Sequence, residues 1–181
     1  DTEWQTCLAV ARELGLNPIL KEIHFMPRRQ RQGERWVNRV DPLVGRDGFL
    51  SIAHRSGQLA GMESTAQVCA APRLQASGWE SLPDLVAECR VWRKDAAQPF
   101  VVTVSFGEYV QKGSDGQPTR FWAEKPETML KKVAESQALR KAFNIHGVYA
   151  PEELGVGVES AGEIVVEAEL VSAPAPAARK R

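Results

Sequence analysis

The chain has 181 residues, of which 43% are hydrophobic and 25% charged, with 23 basic side chains balanced by 23 acidic ones. That size and apolar share suit one globular domain with a core of its own. No apolar run reaches the 18 or so residues of a membrane-crossing helix, and residues 1–10 lack the basic-then-apolar pattern of a secretory leader. Cys7, Cys69 and Cys89 are odd in number and far apart, which excludes a disulfide scaffold and zinc-finger spacing. The expectation is a soluble domain in a reducing cytoplasm.

The first helix is expected from Thr2, where Gln5 three residues on completes a capping-box pattern. Trp4, Leu8 and Ala11 recur at helical spacing, and Gly15 followed by Asn17-Pro18 supplies a stop. A helix at the very start predicts that the chain is the interior of a longer protein. Lys21–Pro27 alternates with Ile23 and Phe25 on one face and reads as a strand, with Trp36–Val40 as its partner. Between them, 28–35 reads as a hairpin loop holding Arg28, Arg29, Arg31 and Arg35. Gly45–Gly48 reads as a turn and Phe49–Arg55 as a short helix.

Ala66–Ala70 has weak strand character, and residues 72–87 read as a proline- and serine-punctuated connection. Glu88–Lys94 alternates, with Cys89 and Val91 facing one way and Arg90, Trp92 and Lys94 the other. Phe100–Phe106 is rich in β-branched and aromatic residues, the composition of a strand, and Asp95–Pro99 joins the two as a hairpin. Residues 113–118 form a loop by composition. Pro126 opens a helix that runs to Phe143, with Glu127 at the positive end of its dipole. The fold class is therefore α+β, a small and mainly antiparallel sheet with hairpins, flanked by helices. Residues 1–154 are expected to form the core domain, and 155–181 a flexible tail, first acidic and then Pro/Ala-rich and basic.

Zero net charge conceals strong segregation. Lys21–Arg55 holds eight basic and four acidic residues, Lys125–Phe143 five and two, and Pro151–Val171 six glutamates without a base. Basic blocks beside an acidic end describe either a patchily solvated surface or a polyanion-binding face with a separate acidic arm.

Enzyme chemistry has no positive signal. His24, His54 and His146 are isolated, and no HExxH pair, Walker loop or nucleophile elbow occurs. Gly155-Val156-Gly157 is too short for a dinucleotide fingerprint. Glu152-Glu153 with Asp47 supports only a weak reading as a magnesium-dependent nuclease. No catalytic residue, metal ligand or cofactor site is identified.

What remains is the helix 127–143, whose apolar residues are spread around its circumference. Lys132, Ser136 and Arg140 fall on one arc, the two cations about 12 Å apart at 1.5 Å per residue. That spacing suits two phosphates of one strand, with the small Ser136 allowing close approach. Lys131 and Lys141 lie on other faces. Aromatic residues accompany bases at Trp36, at Trp92 between Arg90 and Lys94, and at Phe121-Trp122 before Lys125. Single-strand binders combine cations with stacking rings, although two of these three tryptophan sites are expected in the core.

At these positions the chain resembles the RecT/Bet group of phage single-strand annealing proteins. The similarity lies in Leu16-Asn17-Pro18 with Lys21-Glu22-Ile23, in Val44–Phe49, in Cys89–Asp95, and in Trp122, Pro126, Met129-Leu130-Lys131 and Ala134. It continues through Leu139-Arg140, Ala142-Phe143, Gly147, Tyr149 and Glu153. The matches are collinear from about Glu13 to Leu154. The resemblance implies ATP-independent binding of single-stranded DNA and pairing of complementary strands by a homo-oligomer, ring or helical filament, in phage-type recombination. It implies the annealed duplex as product, with a phage exonuclease and the host single-strand binding protein as partners. Within it, Arg140 matches a DNA-contacting arginine, and Lys131 and Lys132 match a basic pair near the start of the closing helix. The sequence departs from the pattern at Val133, where a family member has lysine, at Arg46, usually apolar, and in the longer connection 72–87.

Annealing requires phosphates to be neutralised while base edges stay free. On this reading Lys132 and Arg140 track the backbone, with Lys131, Lys125 and Arg90 or Lys94 nearby. The arginine loop holds the incoming strand or a neighbouring subunit. The alternatives are a coating protein that binds single strands without pairing them, the nuclease above, and an acidic arm over 152–169 that mimics DNA or docks a partner.

Overall fold

A computed structural model describes residues 2–154, apart from the side chains of residues 2, 28–30, 32 and 38. The expected tail, 155–181, lies outside the described residues. Helix α1 (Thr2–Glu13) leads to a two-stranded antiparallel sheet, β1 (Ile23–Gln32) and β2 (Arg35–Val44), and then to α2 (Arg46–Arg55). A second antiparallel sheet has the order β3-β4-β5, from Leu59–Gln75, Gly78–Arg93 and Phe100–Ser105. Short helices α3 (Phe106–Tyr109) and α4 (Arg120–Glu124) precede α5 (Pro126–Phe143), and a single helical turn, Pro151–Glu153, follows it. The α+β class holds. Among the described residues no helix is long and apolar enough to cross a membrane.

Helix α5 is the centre of the core. Leu130, Val133, Ala134, Ala138, Leu139 and Ala142 are buried between the three-stranded sheet (Ala87, Cys89, Val91, Val104) and α2 (Phe49, Ala53). A helix packed on several sides needs apolar residues around its circumference, which explains the missing single stripe. Asn144, in the left-handed region at φ 54°, ends the helix, and the Ile145 N–H returns to the Arg140 carbonyl at 3.0 Å.

Helix α1 stops as its sequence predicts. Gly15 has φ 61°, its N–H bonds the Arg12 carbonyl, and the Leu16 N–H bonds that of Ala11, the paired bonds of a Schellman motif. The buried face is displaced from the expected stripe, however. Cys7 and Ala11 are buried while Trp4 and Leu8 stay exposed, because α1 rests on β2 with the Cys7 thiol donating to the Val40 carbonyl at 3.3 Å. Trp4 packs edge-on against Phe25 instead.

Three segments differ from expectation. Residues 28–32 and 35 are strand rather than loop: β1 and β2 pair from Ile23↔Val44 out to Gln32↔Arg35, closed by Gly33-Glu34. Gly45 is the N-cap of α2, so the expected turn is the helix's own first turn. The connection 72–87 is the outer half of a long β3–β4 hairpin, in register to Gln75↔Gly78. Pro72 is tolerated because β3 is an edge strand throughout, and Pro83 because β5 reaches only to Val86, leaving β4 a free edge beyond it.

Gly48 sets how closely α2 approaches the N-terminal loop. A Cβ at this position would lie 2.1 Å from the Glu22 carbonyl oxygen and 2.8 Å from Val44 Cγ1. Gly48→Ala must push α2 off the loop, and chemical denaturation should show a loss of about 1–3 kcal/mol, the usual cost of overpacking.

Candidate nucleic-acid interface

Four segments meet around a groove enclosing about 470 Å³: the loop and strand start at Lys21 and His24, the first turn of α2 at Arg46, α4 with the start of α5, and Pro151-Glu152. Each is held by identifiable bonds. In the loop, the Glu22 carboxylate accepts from the Asn17 N–H at 2.8 Å and from Ser51 Oγ on α2, and the Gly45 N–H bonds the Glu22 carbonyl. This clamp fixes Lys21 in the left-handed region at φ 59°, a conformation that costs a non-glycine residue roughly 1–2 kcal/mol. Lys125 is the N-cap of α5 and Lys132 stands two turns along it.

The cations sort into two kinds. Lys21, Lys125 and Lys132 line the groove, and among the described residues no ion pair or side-chain hydrogen bond occupies their ammonium groups. Most other predicted site residues are committed elsewhere. Lys131 pairs with Glu127 at 2.6 Å, one turn back, and Arg90 with Glu88 at 2.7 Å. Arg90 is also on the sheet face opposite the buried Cys89 and Val91, away from α5. Lys94 donates to the Gly57 carbonyl at 2.8 Å, at the far end of β4. Arg31 donates to the Gly33 carbonyl at 3.1 Å, and Arg35 is exposed at the hairpin end. The side chains of Arg28 and Arg29 lie outside the described residues, although their backbones pair with Arg39 and Asn38.

The predicted arc of Lys132, Ser136 and Arg140 does not survive intact. Ser136 is fully buried, its hydroxyl without a partner among the described residues, so it offers no surface for a strand to approach. Arg140 donates to the Glu153 carboxylate at 3.0 Å and to the Val148 carbonyl at 3.3 Å, and lies over the Tyr149 ring at 4.6 Å. The same carboxylate accepts the Ala150 N–H, and the Val44 N–H bonds the Tyr149 carbonyl. Arg140 therefore fastens the segment whose Pro151 and Glu152 form one groove wall.

Sequence reasoning missed Lys21, Arg46 and His24 as neighbours of Lys132, because only the fold brings residues a hundred positions apart together. Arg46 is held by Asp47 at 2.7 Å and by the buried Glu135 at 3.4 Å. Glu135 also accepts from Ser64 Oγ at 2.6 Å, which joins α2, β3 and α5. Asp47 and Glu153 thus face guanidinium groups, and among the described residues no three His, Cys, Asp or Glu side chains cluster to hold a metal. Burial pushes the Cys89 thiol up to about 12, leaving it protonated and inert. Of the three tryptophan sites only Trp122 is fully buried; Trp36 is exposed and Trp92 half-buried.

The chain matches the RecT family over residues 1–167. It is similar to the protein named Recombination protein bet of Escherichia phage lambda, with 31% identity over 159 residues, covering 84% of this chain. The chain belongs to the RecT family. It spans about half the length of that relative, 51%.

Two measurements check this geometry. Arg140→Ala leaves Glu153 buried beside its missing partner and should cost about 2–4 kcal/mol of unfolding free energy, whereas Arg140→Ala with Glu153→Ala should cost clearly less than the sum of the single changes. His24 is held below the ordinary histidine value of 6.5, by burial first and by Lys21, with Glu152 opposing. The unfolded chain therefore binds the proton more tightly, so His24 subtracts stability as pH falls from 6.5 through the lowered native value. His24→Asn should flatten the stability profile in that window and leave it unchanged above pH 7.5 or so.

Proposed function

We propose that the chain binds single-stranded DNA through this groove and, as an oligomer, pairs complementary strands without ATP. The observation that carries the reading is the convergence on one groove of a RecT-family chain of three lysines, Lys21, Lys125 and Lys132, that are unpaired among the described residues. Unpaired ammonium groups exchange condensed counterions for phosphates, which favours binding in a salt-dependent and sequence-independent way. None of the groove's cations presents a bidentate fork free to read base edges, since Arg46 is occupied by Asp47 and Glu135. A strand held by its backbone keeps its Watson–Crick edges available. Exposed Trp36 with Arg31 opposite it in register suits the β1–β2 arm to the incoming strand.

Assembly is supported by the β3–β4 hairpin. The face that packs on α5 at Met62/Val91, Ser64/Cys89 and Ala66/Ala87 continues outward as Val68/Leu85, Ala70/Pro83, Pro72/Ser81 and Leu74/Trp79. Beyond the core no described residue covers this stripe, with Val68, Leu74 and Trp79 at 72%, 68% and 73% exposure. An apolar stripe of this kind fits a protein interface, and a second copy of the chain is the occupant that annealing requires. Head-to-tail contacts between copies generate rings or filaments.

The test is stepwise addition of two complementary labelled oligonucleotides without ATP or metal. Accelerated pairing with the duplex retained in a large complex is expected. Tight binding of the first strand with slowed pairing would instead identify a coating protein. Leu74→Ser with Trp79→Ser should leave unfolding within about 0.5 kcal/mol, as for exposed positions generally, while reducing the size of the DNA-bound complex in light scattering. Complexes of undiminished size would remove the hairpin from the interface.

A further inference from the structure

We propose that the groove also takes one unstacked nucleobase per subunit, inserted against Phe121 and Trp122 between the lysines. The inference rests on the DNA-binding reading above and deepens it. A surface that only tracks phosphates needs a row of cations and no depth. Here the surface sinks into a cavity of about 470 Å³, inside the roughly 300–1,000 Å³ range of sites that enclose small molecules. Besides the lysines and the charged Arg46, Asp47 and Glu152, its lining includes Phe121, Trp122, Met129 and Pro151, which are apolar or aromatic, and the polar Gln111 and Thr128.

Trp122 supplies an independent observation. Its side chain is fully buried and lines this cavity, yet its Nε1–H has no hydrogen-bond partner among the described residues. Buried donors are nearly always satisfied; this one lies behind the cavity wall with under 1 Å² open to solvent, so a ligand acceptor reaches it through a shift of the lining side chains. Phe106 packs edge-on against the indole at 5.8 Å and holds it in place. Phe121, its neighbour on the short helix α4, lines the same cavity while remaining 43% exposed, which puts its ring at the rim.

A base entering here stacks on Phe121, accepts the indole N–H at a ring nitrogen or carbonyl oxygen, and leaves its phosphates near Lys125 and Lys132. Every base has a π-face and an acceptor, so capture does not select sequence. The inserted base is withdrawn from pairing while its neighbours stay free, so each subunit fixes the register of one nucleotide on the strand.

The probes are a labelled oligothymidylate and a strand of equal length built of abasic sites, titrated at several salt concentrations. The expected result is about tenfold weaker binding of the abasic strand, the scale of one base–aromatic stack, with an equal salt slope because the phosphates are the same. Phe121→Ala, at an exposed ring, and Trp122→Phe, which keeps an aromatic ring but loses the donor, should each shrink that difference by weakening the thymidylate strand alone. Equal affinity for the two strands with a normal salt slope would overturn the base site and leave the groove reading standing. A difference that persists undiminished in folded Phe121→Ala and Trp122→Phe would also overturn it, by placing the base contact elsewhere. Binding of both strands without salt dependence would overturn the groove reading itself.

Discussion

The structure depends on one constraint, the burial of α5 on most of its circumference. Wedged between the three-stranded sheet and α2, the helix can be helical and buried only with small residues such as Ala134, Ala138 and Ala142 at its close contacts, where neighbouring backbones approach. The same burial dictates the fate of its polar groups. Glu135 must be satisfied internally, by Ser64 and Arg46, and Ser136 is enclosed. Its basic residues emerge in different directions, and each meets a different environment. Lys131 meets Glu127, Arg140 meets Glu153, and Lys141 meets the Val101 carbonyl. Lys132 alone of the four enters the groove.

On the proposed reading, a chain with no net charge offers a polyanion a site in this way. What matters is not how many bases a segment holds but which of them the fold leaves without a counter-charge. Carboxylates placed one strand repeat or one helical turn away neutralise Arg90 and Lys131, while the clamp around Glu22 presents Lys21 to the groove with no ion pair among the described residues. Arg140 keeps an importance that its position on the helix foretells, but through Glu153 and Tyr149 it builds the wall of the groove.

Much of the fold was legible because it is written locally. Gly15 after a helical pattern, Pro126 at a helix start, and the alternation of Cys89 and Val91 each act within a few residues. The arms at 28–35 and 72–87 were not legible, because arginine-rich or proline-punctuated segments become strands only when a partner strand lies alongside, and that pairing is a property of the hairpin as a whole. At the site, Lys125 and Lys132 could be chosen from charge alone. The neutralisation of Lys131 was also readable, from Glu127 at i−4, as was that of Arg90, from Glu88 on the same strand face. The withdrawal of Arg140 was not, since it depends on the return of the chain through Tyr149 to β2.

On the proposed reading uncommitted lysines, rather than the basic residues as a whole, hold the DNA backbone. The most direct measurement is the salt dependence of oligothymidylate binding by two triple variants, Lys21/Lys125/Lys132→Gln and Arg90/Lys94/Lys131→Gln, each removing three positive charges. Single-stranded DNA releases about 0.7 counterion per phosphate neutralised, so the first variant should lose about two from the slope, and the second should keep the slope of the unaltered chain. Equal losses in both variants, or a loss confined to the second, would contradict the account.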